Sequence, residues 1–279
     1  MLRRFTASAA VGTGLVLALT GCLGGGEEKA AGGGGGDAKL TASQALGQAA
    51  EKAGQVDTFA AQIDMNTPTP QGAVQMKMAL QAKLRPEVAM NMKVDSMKMA
   101  SQQVPGYEMV MNEKAAYMKM PALSQANGGK PWTRFSLDQL GATAGMNMQE
   151  LIGQARQQSP AEQTKMLTAS KDAKNLGTEN VGGVETTHYK GTLPVSEALG
   201  KLEGEARAAA EKAFQQLGAQ TINFDVWVDK DGLPRKHVSV FDTNSGRSTT
   251  TALYSDYGKP VQVTEPPAAE VGTVKLPNS

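Results

Sequence analysis

The chain has 279 residues, of which 40% are hydrophobic and 20% are charged, and its formal net charge is +1. This charge balance, without a basic stripe interleaved with aromatic residues, argues against nucleic-acid binding. Only one cysteine is present, which excludes an internal disulfide. The part of the chain that follows the N-terminal segment has a length that suits one domain.

The N-terminal segment has the organisation of a secretory signal. Arg3 and Arg4 precede a short apolar run that ends in Leu19-Thr20-Gly21-Cys22. The run is far shorter than the roughly 20 residues that span a bilayer. We therefore predict a signal peptide over residues 1–21 and a bacterial lipobox in which Cys22 receives a diacylglyceryl group. The paired acyl chains would hold the protein on the extracytoplasmic side of the cell membrane.

Residues 22–40 differ abruptly in composition from the signal. Glycines at 24–26 and 32–36 cannot bury apolar area, so this stretch is expected to be a flexible tether. We predict one folded domain over residues 41–265 and an extended C-terminal tail over residues 266–279.

The first half of the domain begins with a helix and continues with strands. Leu46, Ala49, Ala50 and Ala53 recur at helical spacing in residues 41–54. After this helix the apolar residues recur at every second position, as in strands. Short connections such as Arg85-Pro86 favour an antiparallel meander. The strands are predicted at 59–67, 74–84, 88–94, 107–111, 116–120 and 132–135, and a helix at 136–158 that Ser159-Pro160 ends.

The second half repeats strands and a helix. Gly182-Gly183 is a turn dipeptide that joins strands 176–180 and 184–193. Ser196 is predicted to cap a helix that runs to residue 216 and ends before Gly218. Further strands are predicted at 221–228, 233–241, 248–257 and 259–263.

Methionine is concentrated in the first half. Eleven of the 15 methionines lie between Met65 and Met120, and ten of them form pairs two residues apart. In a strand this spacing directs both side chains to one face, with Lys77, Asn91 and Lys119 on the other. Methionine adapts to irregular contacts, as on promiscuous binding surfaces. The face can either fill the core beneath a helix or line a cavity for flexible acyl chains.

Neither histidine indicates an enzyme. His188 and His237 lie on predicted strands, outside metal-ligand spacings and nucleophile motifs. Asp229, Asp231 and Gly232 resemble the start of a calcium loop but are better explained as a hairpin turn. No cofactor is predicted. The Met-x-Met pairs leave copper(I) binding open because thioethers are soft ligands, and a sensor or interaction module without a ligand is a further alternative.

The lipobox, the Ala-rich first helix, the meander and two segments, 181–191 and 226–236, together resemble the LppX/LprG-type (LppX_LprAFG) lipoproteins of actinobacteria, relatives of the LolA/LolB carriers. The resemblance implies an α+β fold in which a strongly curved antiparallel half-barrel has helices over its concave face. It also implies an apolar cavity that holds lipid or glycolipid acyl chains, and it supplies no catalytic residues.

We therefore predict a membrane-anchored, non-enzymatic lipid carrier or chaperone with an envelope transporter as a partner. Besides the lipidation site, Cys22, the sequence assigns lipid contacts to eleven residues. They are Met76, Met78, Leu80, Met90, Met92, Met109, Met111, Met118, Met120, Leu199 and Leu202.

Overall fold

A computed structural model describes residues 40–136, 156, 159–200 and 204–274. Its strands are β1 (Thr58–Thr67), β2 (Val74–Lys83), β3 (Ala89–Met99), β4 (Gln102–Val104), β5 (Tyr107–Met111), β6 (Ala115–Lys119), β7 (Trp132–Ser136), β8 (Lys174–Val181), β9 (Val184–Pro194), β10 (Thr221–Asp229), β11 (Pro234–Thr243), β12 (Gly246–Ser255) and β13 (Val271–Thr273). The helices are α1 (Ala42–Gly54), α2 (Pro121–Ser124), α3 (Pro160–Leu167), α4 (Val195–Leu199) and α5 (Gly204–Leu217).

All thirteen strands join one sheet, in the order β13-β7-β6-β5-β3-β2-β1-β12-β11-β10-β9-β8, with β4 paired to β3. The pairs are antiparallel except for β13 with β7. The two ends of this order do not pair, so the sheet is an open, curved half-barrel. The predicted α+β fold with a large antiparallel sheet and a few helices is confirmed.

One face of the sheet carries the core, and we call it the inner face. Directly paired residues of antiparallel strands share a face, and the register therefore connects two buried clusters. One contains Phe59, Ala61 and Tyr254. The rings of Phe59 and Tyr254 meet edge to face, with their centroids 6.3 Å apart. The other contains Phe224 and Val226 of β10. The inner face is thus apolar in both halves of the sheet.

The helices pack against this inner face. Thr41 begins α1 with a capping box, accepting from the backbone N–H of Gln44 while the Gln44 side chain accepts from the backbone N–H of Thr41. Buried Leu46 and Ala49 of α1 join the cluster around Phe224, as does Leu167 of α3. Farther along the sheet, Phe214 of α5 packs against Phe241 of β11, with ring centroids 6.0 Å apart.

One predicted helix boundary is wrong, and one segment has a role that was not predicted. Ser159-Pro160 begins a helix: the Ser159 hydroxyl accepts from the Glu162 N–H, and Pro160 occupies the first turn, where a backbone N–H would have no partner within the helix. Ser196 lies inside α4, which follows β9 directly from Pro194. The predicted helix at 136–158 falls almost wholly outside the described residues.

The C-terminal segment also departs from the prediction. Residues 259–263 form no strand, and the predicted tail joins the sheet because Val271 to Thr273 pair with β7. Between residue 263 and Val271, the chain crosses the outer face of the sheet. There the Glu265 carboxylate accepts from the Tyr117 hydroxyl at 2.8 Å and from Asn112 Nδ2 at 2.6 Å, and these bonds lower the pKa of Glu265. Hydrogen bonding thus holds a segment that has little apolar pattern.

No helix among the described residues is both long and apolar enough to cross a membrane. Cys22, the signal peptide and the tether up to residue 39 lie outside the described residues.

Candidate functional site

The predicted methionine residues share the inner face. Alternation along β2, β3, β5 and β6, together with the register, places nine of the eleven assigned residues there. We call this set the methionine face. It consists of Met76, Met78, Leu80, Met90, Met92, Met109, Met111, Met118 and Met120.

The register aligns these side chains in rows across neighbouring strands. Leu80 pairs with Met92, Met92 with Met109, and Met109 with Met118. A second row brings Met90 beside Met111. Neighbouring strands are about 4.8 Å apart, so the thioethers of one row can touch. The rows form a continuous apolar surface across four strands.

The methionine face is accessible where the adjoining core is not. Each of its nine residues is partly exposed, whereas inner-face neighbours such as Phe59, Val94 and Phe135 are at most 7% exposed. A packed core would leave these methionines as buried as those neighbours. A surface hollow of about 430 Å³ lies at the edge of the face beside Met120, and its lining also includes the outer-face residues Lys93, Glu108 and Lys119.

The outer face of the same strands is polar, as the sequence predicts. Lys77 Nζ lies 3.1 Å from an Asp64 oxygen, and Lys119 Nζ lies 3.6 Å from a Glu108 oxygen. Asn91 donates to the backbone carbonyl of Gln262 at 3.0 Å. This part of the sheet is therefore amphipathic, with lysines and methionines on opposite sides of β2, β3 and β6.

The structure places Leu199 in a helix away from the methionine strands. Leu199 is buried in α4, which follows β9, and four strands separate β9 from β2 in the sheet. Leu202 lies outside the described residues.

Sequence reasoning missed a polar group on the inner face, formed by His237 and Ser239 of β11 and Thr250 of β12. Ser239 pairs directly with Thr250, while His237 pairs with buried Ala252 and Val226. Burial lowers the pKa of His237 to about 4, so its ring is neutral at neutral pH. Alternation in β11 puts these side chains on one face, but only the register reveals that this face is the inner one.

The other histidine and the aspartate of the calcium-like segment have structural partners. His188 lies between Glu179 Oε1 at 2.8 Å and Asp225 Oδ1 at 2.7 Å and stacks on Trp227 at 4.2 Å. The Asp229 carboxylate accepts from the backbone N–H groups of Asp231 and Leu233, as a hairpin turn requires. Among the described residues, no three His, Cys, Asp or Glu side chains are grouped to hold a metal.

Comparisons with known proteins agree with this architecture. Residues 161–263 match the model of the LppX_LprAFG lipoprotein family. An uncharacterized 31.2 kDa protein of Streptomyces griseus is 34% identical over 152 residues, which cover 53% of this chain and 50% of that protein. A predicted lipoprotein of Streptomyces coelicolor is 31% identical over 151 residues, covering 53% and 44%. The chain thus matches about half the length of these relatives.

A solved structure shows the same fold. LprF from Mycobacterium bovis superposes with a TM-score of 0.52 at 13% identity, covering 81% of this chain and 96% of LprF. At this identity the likeness concerns the fold alone. Sequence and fold together confirm the resemblance to the LppX/LprG-type lipoproteins.

Proposed function

We propose that this chain, which resembles the LppX/LprG-type lipoproteins, binds lipid acyl chains on the methionine face and carries them outside the cytoplasm. The observation that carries this proposal is the partial exposure of all nine residues of the methionine face on the inner side of the sheet. An apolar surface of this extent that is neither buried nor on the outer side suits an apolar ligand.

The affinity would come from removing the acyl chain from water. Each buried methylene contributes about 0.8 kcal/mol, so chain length should affect affinity more than the headgroup does. Methionine side chains have three rotatable bonds and a polarizable sulfur, and they can adjust to a chain that bends. Leucine and isoleucine would fix a more rigid surface.

We further propose that Cys22 carries the diacylglyceryl anchor and that residues 22–40 tether the domain to the membrane. The tether would allow the inner face to approach the bilayer and collect lipid or glycolipid chains. An envelope transporter is the kind of partner that would load or unload such a carrier. In this account binding, without catalysis, is the activity of the domain.

Copper(I) binding is a second candidate, because the register sets thioethers side by side. Met92, Met109 and Met118 lie directly opposite one another on three strands, as Met90 and Met111 do on two. Thioether sulfur is a ligand that copper(I) prefers. The alternative of a sensor without a ligand has no specific observation in its favour.

One experiment separates lipid from copper. The purified chain, with Cys22→Ala to remove the anchor, should extract a fluorescent fatty acid from phosphatidylcholine vesicles without any metal. It should bind copper(I) no better than a generic methionine-containing protein. Sub-micromolar copper(I) binding that is lost on replacing four methionines by leucine, with no extraction of the fatty acid, would reverse this ranking. The four are Met76, Met78, Met90 and Met92.

A further inference from the structure

Three polar side chains interrupt the apolar inner face near its centre. Ser239 and Thr250 lie opposite each other on β11 and β12, and His237 is two residues from Ser239 on the same face. The row that contains Ser239 and Thr250 continues to Phe224 on one side and to Met65 on the other. The polar group therefore lies between the buried cluster around Phe224 and the methionine face.

Hydrogen-bond partners for these polar side chains are missing among the residues that the structure describes. Across the described residues, no hydrogen bond involves the hydroxyl of Ser239 or of Thr250, and both residues are partly exposed. Nε2 of His237 is buried and also has no partner. A buried polar atom that is left unpaired costs free energy, and His237 Nε2 is such an atom. The two unpaired, partly exposed hydroxyls next to it on the same face indicate a place where a ligand can supply hydrogen-bond partners.

The group that fits there is uncharged. Arg235, the charged residue of β11 that lies at the register shift with β10 two residues before His237, already forms an ion pair with Asp229, whose side chain is 1% exposed. No free cation of β11 is thus available for a phosphate or a carboxylate. Serine and threonine hydroxyls both donate and accept, so they match a neutral oxygen in either role.

On the premise of the function proposed above, we propose that Ser239 and Thr250, with His237 beside them, bind the ester or hydroxyl oxygen of a lipid whose chain lies on the methionine face. Recognition would then have two parts. The methionine face would hold any chain of sufficient length, and the three polar residues would favour neutral oxygen-bearing lipids over plain hydrocarbon.

The test compares two ligands that differ by one hydroxyl, hexadecan-1-ol and hexadecane. Both are offered in phosphatidylcholine vesicles to the purified chain carrying Cys22→Ala, and the amount transferred to protein is measured. The double variant Ser239→Ala with Thr250→Val removes both hydroxyls with little change in shape. The matched control is Thr251→Val, the next residue of β12, which lies on the outer face opposite Asp64 and Val238.

The starting protein should favour hexadecan-1-ol over hexadecane. The double variant should bind hexadecan-1-ol about five- to twenty-fold more weakly, as expected for one or two lost neutral hydrogen bonds, and hexadecane unchanged. Thr251→Val should affect neither ligand. If the double variant melts at a lower temperature, the smaller change Ser239→Ala carries the same expectation with about a five-fold loss.

The possible failures are distinguishable. Transfer of both ligands without preference, or a preference that survives the double variant, overturns the assignment of these residues and leaves lipid binding standing. Equal weakening of both ligands also overturns it, because a hydroxyl contact cannot affect hexadecane. Transfer of neither ligand overturns the proposed function together with this refinement.

Discussion

Placing a charge at the centre of the methionine face should abolish most lipid binding without unfolding the domain. Met92 lies between Leu80 of β2 and Met109 of β5, so a chain that crosses the face must pass over it. Met92→Lys puts an ammonium group there. Because Met92 is partly exposed, the lysine can direct its charge towards the open side while its stem stays on the sheet.

The size of the effect follows from the contacts that are lost. If the charge and its water exclude two or three methylenes from the surface, at about 0.8 kcal/mol each, binding weakens by about 2 kcal/mol, or roughly thirty-fold. Met92→Leu conserves apolar character and approximate volume, and it should cost under about 1.5 kcal/mol. Lys77→Glu, on the outer face of β2, should leave lipid binding unchanged.

The assay is extraction of a fluorescent fatty acid from vesicles, with circular dichroism and melting to verify that each variant is folded. A folded Met92→Lys protein with the affinity of the starting chain would refute the reasoning. So would a loss of the same size in Lys77→Glu, since that side chain faces away from the proposed ligand.

Two further predictions concern the anchor and pH. Cys22→Ala should move the protein out of the lipid-modified membrane fraction; a variant that still carried lipid after removal of its signal would contradict the lipobox. The pKa of His237 falls from 6.5 to about 4 on folding, so the unfolded chain binds the extra proton and the folded domain loses stability as pH falls from 6.5 towards 4. The loss of stability is about 3 kcal/mol. In melting curves recorded across that pH range, the variant His237→Phe should no longer show this loss. A variant with the same pH dependence as the starting protein would contradict the burial of this ring.

The sequence predicts most of the strands and the methionine face because both depend on a local period of two. The pair Val181 and Val184, across Gly182-Gly183, is an example, since the two glycines have φ values of 58° and 87° and suit a tight hairpin. The common face of Met92, Met109 and Met118 follows from the same alternation once neighbouring strands pair in order.

The sequence does not predict features that depend on distant pairing. Val271 to Thr273 form a strand of three residues in parallel with β7, more than a hundred residues earlier in the chain, and so short a segment has no period to detect. The polar group of Ser239 and Thr250 is missed for a related reason. Each residue looks like an ordinary solvent-facing position until the register places it on the core side.

The most direct test of lipid binding on the methionine face is NMR of the protein labelled with ¹³C at its methionine methyl groups. A fatty acid with a spin label on its chain should broaden the methyl signals of residues such as Met92, Met109 and Met118. Met166 of α3 packs with the cluster around Phe224 and is the internal control, so its signal should stay sharp. Broadening of Met166 alone, or equal broadening of all methionines including Met166, would contradict binding on the methionine face.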